Sequence, residues 1–170
     1  MPGNVEVRVA RPADGEAVSR VLRASYGALM KPRYSADLLT RLLPLITEAN
    51  PALLAGGTYY VALLEGTVAG CGGWTLARPG APDRPIDPAL AHVRHFATDP
   101  AFVRRGVGRA LIERCLADAG ARGVTTFEAY ATLVSEGFYR SAGFETLGQI
   151  VVSITPDVDL PSLHMIRRAD

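Results

Sequence analysis

Val5, Val7 and Val9 alternate with Glu6, Arg8 and Ala10 at the start of the chain, a period of two that predicts a short half-buried strand. "RPAD" interrupts it, and beyond Asp14, a suitable N-cap, the apolar period lengthens to that of a helix through Val18, Val21, Leu22 and Ser25. Tyr26–Tyr34 reads as a connection. Ser35 opens a second helical segment carrying Leu38, Leu39, Leu42 and Leu43, which Pro44 is expected to kink or split. "NPALLAGG" reads as a loop.

Two strand-like runs follow, Thr58–Leu64 and Val68–Leu76, joined at "EGT" by an expected tight hairpin. Gly72 and Gly73, inside the second run, signal a bulge or a close backbone approach. Prolines at 79, 82, 85 and 88 mark an ordered surface loop, although their spacing also suits polyproline II geometry. Ala91–Thr98 is a fourth strand, stopped by Asp99-Pro100. Gly106–Ala119 is a helix with Val107, Leu111, Ile112, Cys115, Leu116 and Ala119 on one face, and Thr125–Ala131 is a fifth strand. Strand, helix, strand at this length implies a parallel pair with a right-handed crossover. A short helix at Ser135–Ser141, a C-cap at Gly143 and strands near Phe144–Ile154 and Leu163–Arg167 complete a single mixed α/β domain spanning residues 1–170.

Composition narrows the partners. A formal charge of +1 argues against a general nucleic-acid binder. No apolar run reaches the ~18 residues of a membrane span and no leader segment is visible, so a soluble cytoplasmic protein is the expectation. Cys71 and Cys115 form no CxxC pair, and with the three histidines they make no zinc spacing, so no metal is expected.

The candidate chemistry begins at "VRRGVGRAL" (Val103–Leu111). Gly106 and Gly108 open a helix whose first amides lack intrahelical partners and whose dipole is positive there, with Arg104, Arg105 and Arg109 around them. That combination suits a phosphate or pyrophosphate. A P-loop is excluded because no Lys-Ser or Lys-Thr occurs. A dinucleotide fingerprint is excluded because Leu111 replaces its third glycine and seven residues separate Thr98 from Gly106.

The arrangement resembles the GNAT superfamily of acyl-CoA-dependent N-acyltransferases, whose motif after the fourth strand is Q/R-x-x-G-x-G/A. "VRRGVG" supplies both small residues, with Val103 where the family carries Gln or Arg, and "FYRSAGF" (Phe138–Phe144) is similar to the family's segment before its last strands. The order of elements follows the family along essentially the whole chain. The resemblance implies acetyl-CoA as cosubstrate, with its pantetheine arm between splayed fourth and fifth strands on main-chain groups of Phe96, Ala97 and Thr98. It places the pyrophosphate on the loop Arg104, Arg105, Gly106, Val107, Gly108 and Arg109, with Ser135 near the CoA tail or merely capping its helix.

The implied reaction is direct attack of a neutral amine on the thioester. Tyr139 is the expected acid for the leaving thiolate, since a phenol of pKa ~10 is protonated at neutral pH. His92 falls where histone-type members carry a glutamate base, and an imidazole of pKa ~6.5 suits that role. Glu128 is the alternative base. Residues 92, 94, 96 and 98 are expected on one face of the fourth strand, with His95 on the other unless a bulge shifts the register. The acceptor, a small-molecule or protein amine, is expected to meet Tyr26, Arg33 and Tyr34. Family members are often homodimers. An acyl-CoA-binding sensor of the same fold is the alternative to an enzyme.

Overall fold

The computed structural model describes residues 4–169. The chain runs β1 (Glu6–Val9), α1 (Gly15–Leu29), α2 (Ala36–Ile46), α3 (Pro51–Ala55), β2 (Tyr59–Leu64), β3 (Thr67–Thr75) and β4 (Leu90–Thr98). It continues through α4 (Val107–Ala121), β5 (Thr126–Thr132), α5 (Glu136–Ser141), β6 (Glu145–Thr155) and β7 (Val158–Arg168). One seven-stranded sheet has the order β1-β2-β3-β4-β5-β7-β6. β4 and β5 are parallel and the other neighbours antiparallel, as the strand–helix–strand reading implies.

Both sheet faces are covered. α4 and α5 bury Val107, Leu111 and Cys115 against Tyr60, Trp74, Phe127 and Met165 on one side. On the other side α1 and α3 close over Val61 and Cys71, and α2 packs Leu39 and Leu42 on Val158 and Leu160. Both cysteines are buried and unbridged.

Several boundaries differ from the sequence reading. α1 continues to Leu29, so Tyr26 lies within a helix rather than in a connection. Asp14 stands at the α1 N-cap position, but its carboxylate turns back to accept from the Arg11 amide and to pair with Arg8 at 2.8 Å. Pro44 does not split α2: it lies in the last turn, where few bonds depend on its missing N–H, and the Thr47 hydroxyl satisfies the Leu43 carbonyl. "NPALLAGG" contains α3, begun by the Asn50 side chain, which accepts from the Ala52 amide. α4 starts at Val107 rather than Gly106 and runs to Ala121, and β7 begins at Val158, five residues before Leu163.

Gly72 and Gly73 of β3 mark both features expected of them. Cys71 pairs with Ala97 and Gly73 with Arg94, so His95 and Phe96 together oppose Gly72 in a bulge of β4. A Cβ on Gly72 would lie 2.6 Å from the Phe96 ring, and one on Gly73 would lie 2.6 Å from Tyr59 Cα and closer still to the Thr58 carbonyl oxygen. Backbone cannot rotate aside as a ring can. Gly73→Ala is therefore expected to lower stability by about 1–3 kcal/mol, read as a lower urea midpoint at unchanged slope.

Candidate active site

The bulge organises the site. His95 holds φ = +46°, which inverts the alternation of β4. Ala91, Val93 and Phe96 face the α4 side, whereas Ala97 packs beneath α1. Phe96 is thus on the face opposite His92, against the strict period-two expectation. The carbonyl of His95 accepts from the Tyr59 hydroxyl (2.9 Å) and that of Phe96 from the Tyr26 hydroxyl (3.1 Å), so α1 and β2 hold the kink from one side.

Beyond the bulge β4 and β5 separate. Their parallel ladder has three pairs, Leu90–Thr126, Ala91–Phe127 and His92–Glu128, and none beyond. The main chain of Phe96, Ala97 and Thr98 consequently borders a gap on its β5 side. At the end of that gap Arg20 of α1 donates to the Val68 carbonyl and pairs with Asp99 at 3.1 Å, fixing the exit of β4.

The chain then turns through Arg104 (φ +63°) and Gly106 (φ +82°), both left-handed. Gly106 is the N-cap of α4 and, having no side chain, offers no capping group. The amides of Val107, Gly108 and Arg109 find no acceptor among the described residues, while that of Ala110 bonds the Gly106 carbonyl. Successive free amides at a helix start form a concave anion receptor. Arg105 leans across Phe102 and pairs with Glu65 at 3.3 Å. Arg109 is engaged with Glu113 on an exposed face, and Arg104 is exposed with no ion pair among the described residues. Val103 is exposed, its side chain leaving the receptor to the backbone and these arginines. These groups fit a pyrophosphate: the donors are unspent, the glycine removes obstruction, and the gap beside Thr98 leads to them.

Tyr139, on α5, stands against Phe96, Phe138 and Phe144, with ring centroids 6.4, 5.0 and 5.3 Å away. Burial pushes its pKa well above the ordinary phenol value, with Cys115 contributing, and its hydroxyl makes no hydrogen bond among the described residues. It is a protonated donor beside the bulge.

On the other sheet face, Glu128 lies between two imidazoles: His92 Nδ1 is 3.6 Å from Oε1 and His164 Nε2 is 3.3 Å from Oε2. Both nitrogens are buried without a hydrogen-bond partner. Burial lowers the His92 pKa, outweighing the pull of Glu128, and Arg78 and Arg94 lower it further. Burial raises Glu128, but the nearby Tyr130 hydroxyl and the His164 and His92 imidazoles bring it below the usual carboxylate value. At neutral pH the pair is thus a neutral imidazole beside a carboxylate.

The structure brings His92 and Glu128 together on one sheet face and Phe96 and Tyr139 on the other, with the Tyr26 hydroxyl on the Phe96 carbonyl. It keeps others apart. The Tyr34 hydroxyl donates to the Pro161 carbonyl (2.7 Å) and accepts from the Leu133 amide (2.8 Å), tying the α1–α2 connection to the sheet. Arg33 is exposed beside it. The Ser135 hydroxyl shares a 2.6 Å hydrogen bond with Thr132 and does not cap α5. Sequence reasoning missed His164, Tyr130, Arg78 and Arg94. For His164 one signal was available, a polar residue alternating with Leu163 and Met165; the pairing of β7 with β5, which sets it opposite Tyr130, carries no local mark.

No group of His, Cys, Asp and Glu among the described residues could hold a metal, and no helix among them is long and apolar enough to cross a membrane. The fold is shared with solved structures. A GCN5-related N-acetyltransferase from Rhodopseudomonas palustris superposes with a TM-score of 0.76 at 20% identity, covering 99% of this chain and 96% of that one. The PaiA N-acetyltransferase from Thermoplasma acidophilum, solved in complex with coenzyme A, gives 0.71 at 16% identity with coverage of 97% and 99%. Ard1 from Thermoplasma volcanium gives 0.66 at 18% identity with 98% of each chain covered. No curated protein sequence matches the chain. Residues 55–146, more than half of the sequence, match the acetyltransferase (GNAT) domain, and with the splayed strands and the glycine turn where that family has them, the chain belongs to the GNAT acetyltransferases.

Proposed function

We propose that the protein is an N-acetyltransferase that moves the acetyl group of acetyl-CoA to a primary amine within a ternary complex. The observation that carries this reading is the pairing of the β4–β5 gap with two titratable groups poised oppositely: a neutral imidazole, His92, and a firmly protonated phenol, Tyr139. Acetyl-CoA supplies an activated thioester. The backbone of Phe96, Ala97 and Thr98 offers main-chain bonds along its arm, and the amides of Gly106 to Arg109 offer donors to its pyrophosphate.

With Nδ1 turned to Glu128, Nε2 of His92 is the nitrogen left to take the amine proton, and Glu128 stabilises the imidazolium that results. The amine nitrogen then bonds to the acetyl carbon as the carbon–sulfur bond breaks, and the Tyr139 hydroxyl gives its proton to the departing sulfur. Sulfur, of thiol pKa ~8.5, is the weaker base of the two, so this transfer needs proximity and a dry site more than driving force.

Thiol release on mixing the protein with acetyl-CoA and a panel of primary amines tests the reading. Tyr139→Phe is expected to lower kcat about tenfold to a hundredfold while acetyl-CoA affinity by calorimetry stays within twofold. Tight binding of acetyl-CoA with no thiol release from any amine would leave an acyl-CoA sensor in place of an enzyme. Equal binding of ATP or NAD would remove the CoA assignment itself.

A further inference from the structure

Two guanidinium groups flank His92 and Glu128 with no role in the chemistry above. Arg94, two residues beyond His92 on the same face, donates from Nη1 to the Thr75 hydroxyl at 3.0 Å. Thr75 is the register partner of His92 across the β3–β4 ladder, and its hydroxyl donates onward to the Ala77 carbonyl at 2.7 Å. The guanidinium is therefore bent back along β4 to the level of the imidazole and held there. Cross-strand neighbours lie about 5 Å apart, so the two groups are within reach of one small molecule. Arg94 is half-buried, and no carboxylate among the described residues lies within 4.0 Å of it.

Arg78 approaches from the β5 side. Its Nε donates to the Tyr130 hydroxyl at 2.9 Å and its guanidinium lies 5.7 Å from the centroid of that ring. It too has no carboxylate partner among the described residues, and the Tyr130 ring leans on His164 at 5.6 Å. The positive charge of both guanidiniums lowers the His92 pKa.

Holding the half-buried Arg94 guanidinium out of water without a counter-ion is unfavourable, and such groups are normally paired, whereas Arg78 is exposed and reaches the site from its rim. Glu128 does not meet that need, because its two oxygens face the two histidines. The site thus has a negative centre to hold the base and an unneutralised positive rim. An arginine fork is the natural receptor for a planar oxyanion.

We propose that the acceptor amine carries an oxyanion close to its nitrogen, a carboxylate or a phosphonate, bound by Arg94 from the β3 side and Arg78 from the β5 side. The acceptor class is that of small amino acids and aminophosphonates rather than uncharged amines or polyamines. Thr75 is a positioning residue for Arg94. This inference rests on the acetyl-transfer reading and is tested separately from it.

The experiment compares kcat/KM for amine pairs that differ only by the acidic group: alanine against ethylamine, phenylalanine against phenethylamine, and aminomethylphosphonate against methylamine. Wild-type protein is expected to favour the acidic member of at least one pair tenfold or more, and the favoured pair says whether the oxyanion is carboxylate or phosphonate. Arg94→Gln is expected to reduce that ratio at least tenfold and Arg78→Gln by a smaller factor, since Arg78 is exposed. A wild-type ratio near one or below it, or a ratio unchanged by Arg94→Gln, overturns the proposal. If no amine is acetylated, the transfer reading falls and calorimetry decides the other. CoA-loaded protein binding N-acetylalanine tenfold tighter than N-ethylacetamide sustains the oxyanion site, and equal binding removes it.

Discussion

Replacing His92 by alanine is expected to lower kcat by about 10² to 10⁴, the range a positioned proton acceptor supplies, while leaving acetyl-CoA affinity within twofold. The imidazole reaches its role through its surroundings. Burial together with Arg78 and Arg94 lowers its pKa below 6.5, so it is neutral and able to accept a proton at pH 7. The acid limb of kcat/KM should then fall below 6.5, whereas the Glu128 carboxyl is held below its ordinary 4.5. Glu128→Gln separates the two residues further. If Glu128 only orients His92, the amide variant keeps more activity than His92→Ala, and the limb stays in the imidazole range. Loss of activity confined to Glu128→Gln, with a limb below 4.5, would assign the base to the carboxylate instead.

Acidification is expected to weaken the fold through a different histidine. Burial, aided by the positive charge of Arg94, pushes the His95 imidazole down from 6.5 to about 4. Because the folded-state pKa is the lower one, the unfolded chain binds more protons between pH 6.5 and 4. Stability is therefore full above pH 6.5 and is lost progressively as pH falls through that window, by up to about 3 kcal/mol. Urea midpoints between pH 7 and 4 measure this slope. His95→Asn should flatten it, since asparagine does not titrate and tolerates the left-handed φ of +46°. A slope unchanged in that variant would place the titrating group elsewhere, with His92 next to be replaced.

The β2–β3 hairpin and the glycine turn that opens α4 were legible in the residues, because each rests on local signals. "EGT" makes the turn between β2 and β3, with Glu65 at φ +53° and Gly66 at +77°, and the pair of glycines opens α4 at the end of a strand. The bulge was signalled only across the ladder, by Gly72 and Gly73 of β3, and its place at His95 of β4 was not legible. No glycine or proline marks His95, yet its one inverted φ moves Phe96 across the sheet and defeats a count by twos. The short helix α3 escaped because its five residues carry less than two turns of periodicity. The cluster around Glu128 was the least legible of all. Glu128 and His164 are 36 positions apart and meet only because β7 inserts between β5 and β6, an arrangement that long-range pairing decides and no segment announces.

The three-pair ladder between β4 and β5 also makes the molecule two leaves joined along a short seam. One leaf holds β1 to β4 with α1 and α3, the other β5 to β7 with α2. His92 and Glu128 form the last pair of that seam, and Tyr139 packs against Phe96 beyond it. Under the proposed function, a slender arm lying between the leaves takes the place of the rungs that β4 and β5 do not form. Filling the seam is then expected to stiffen the sheet.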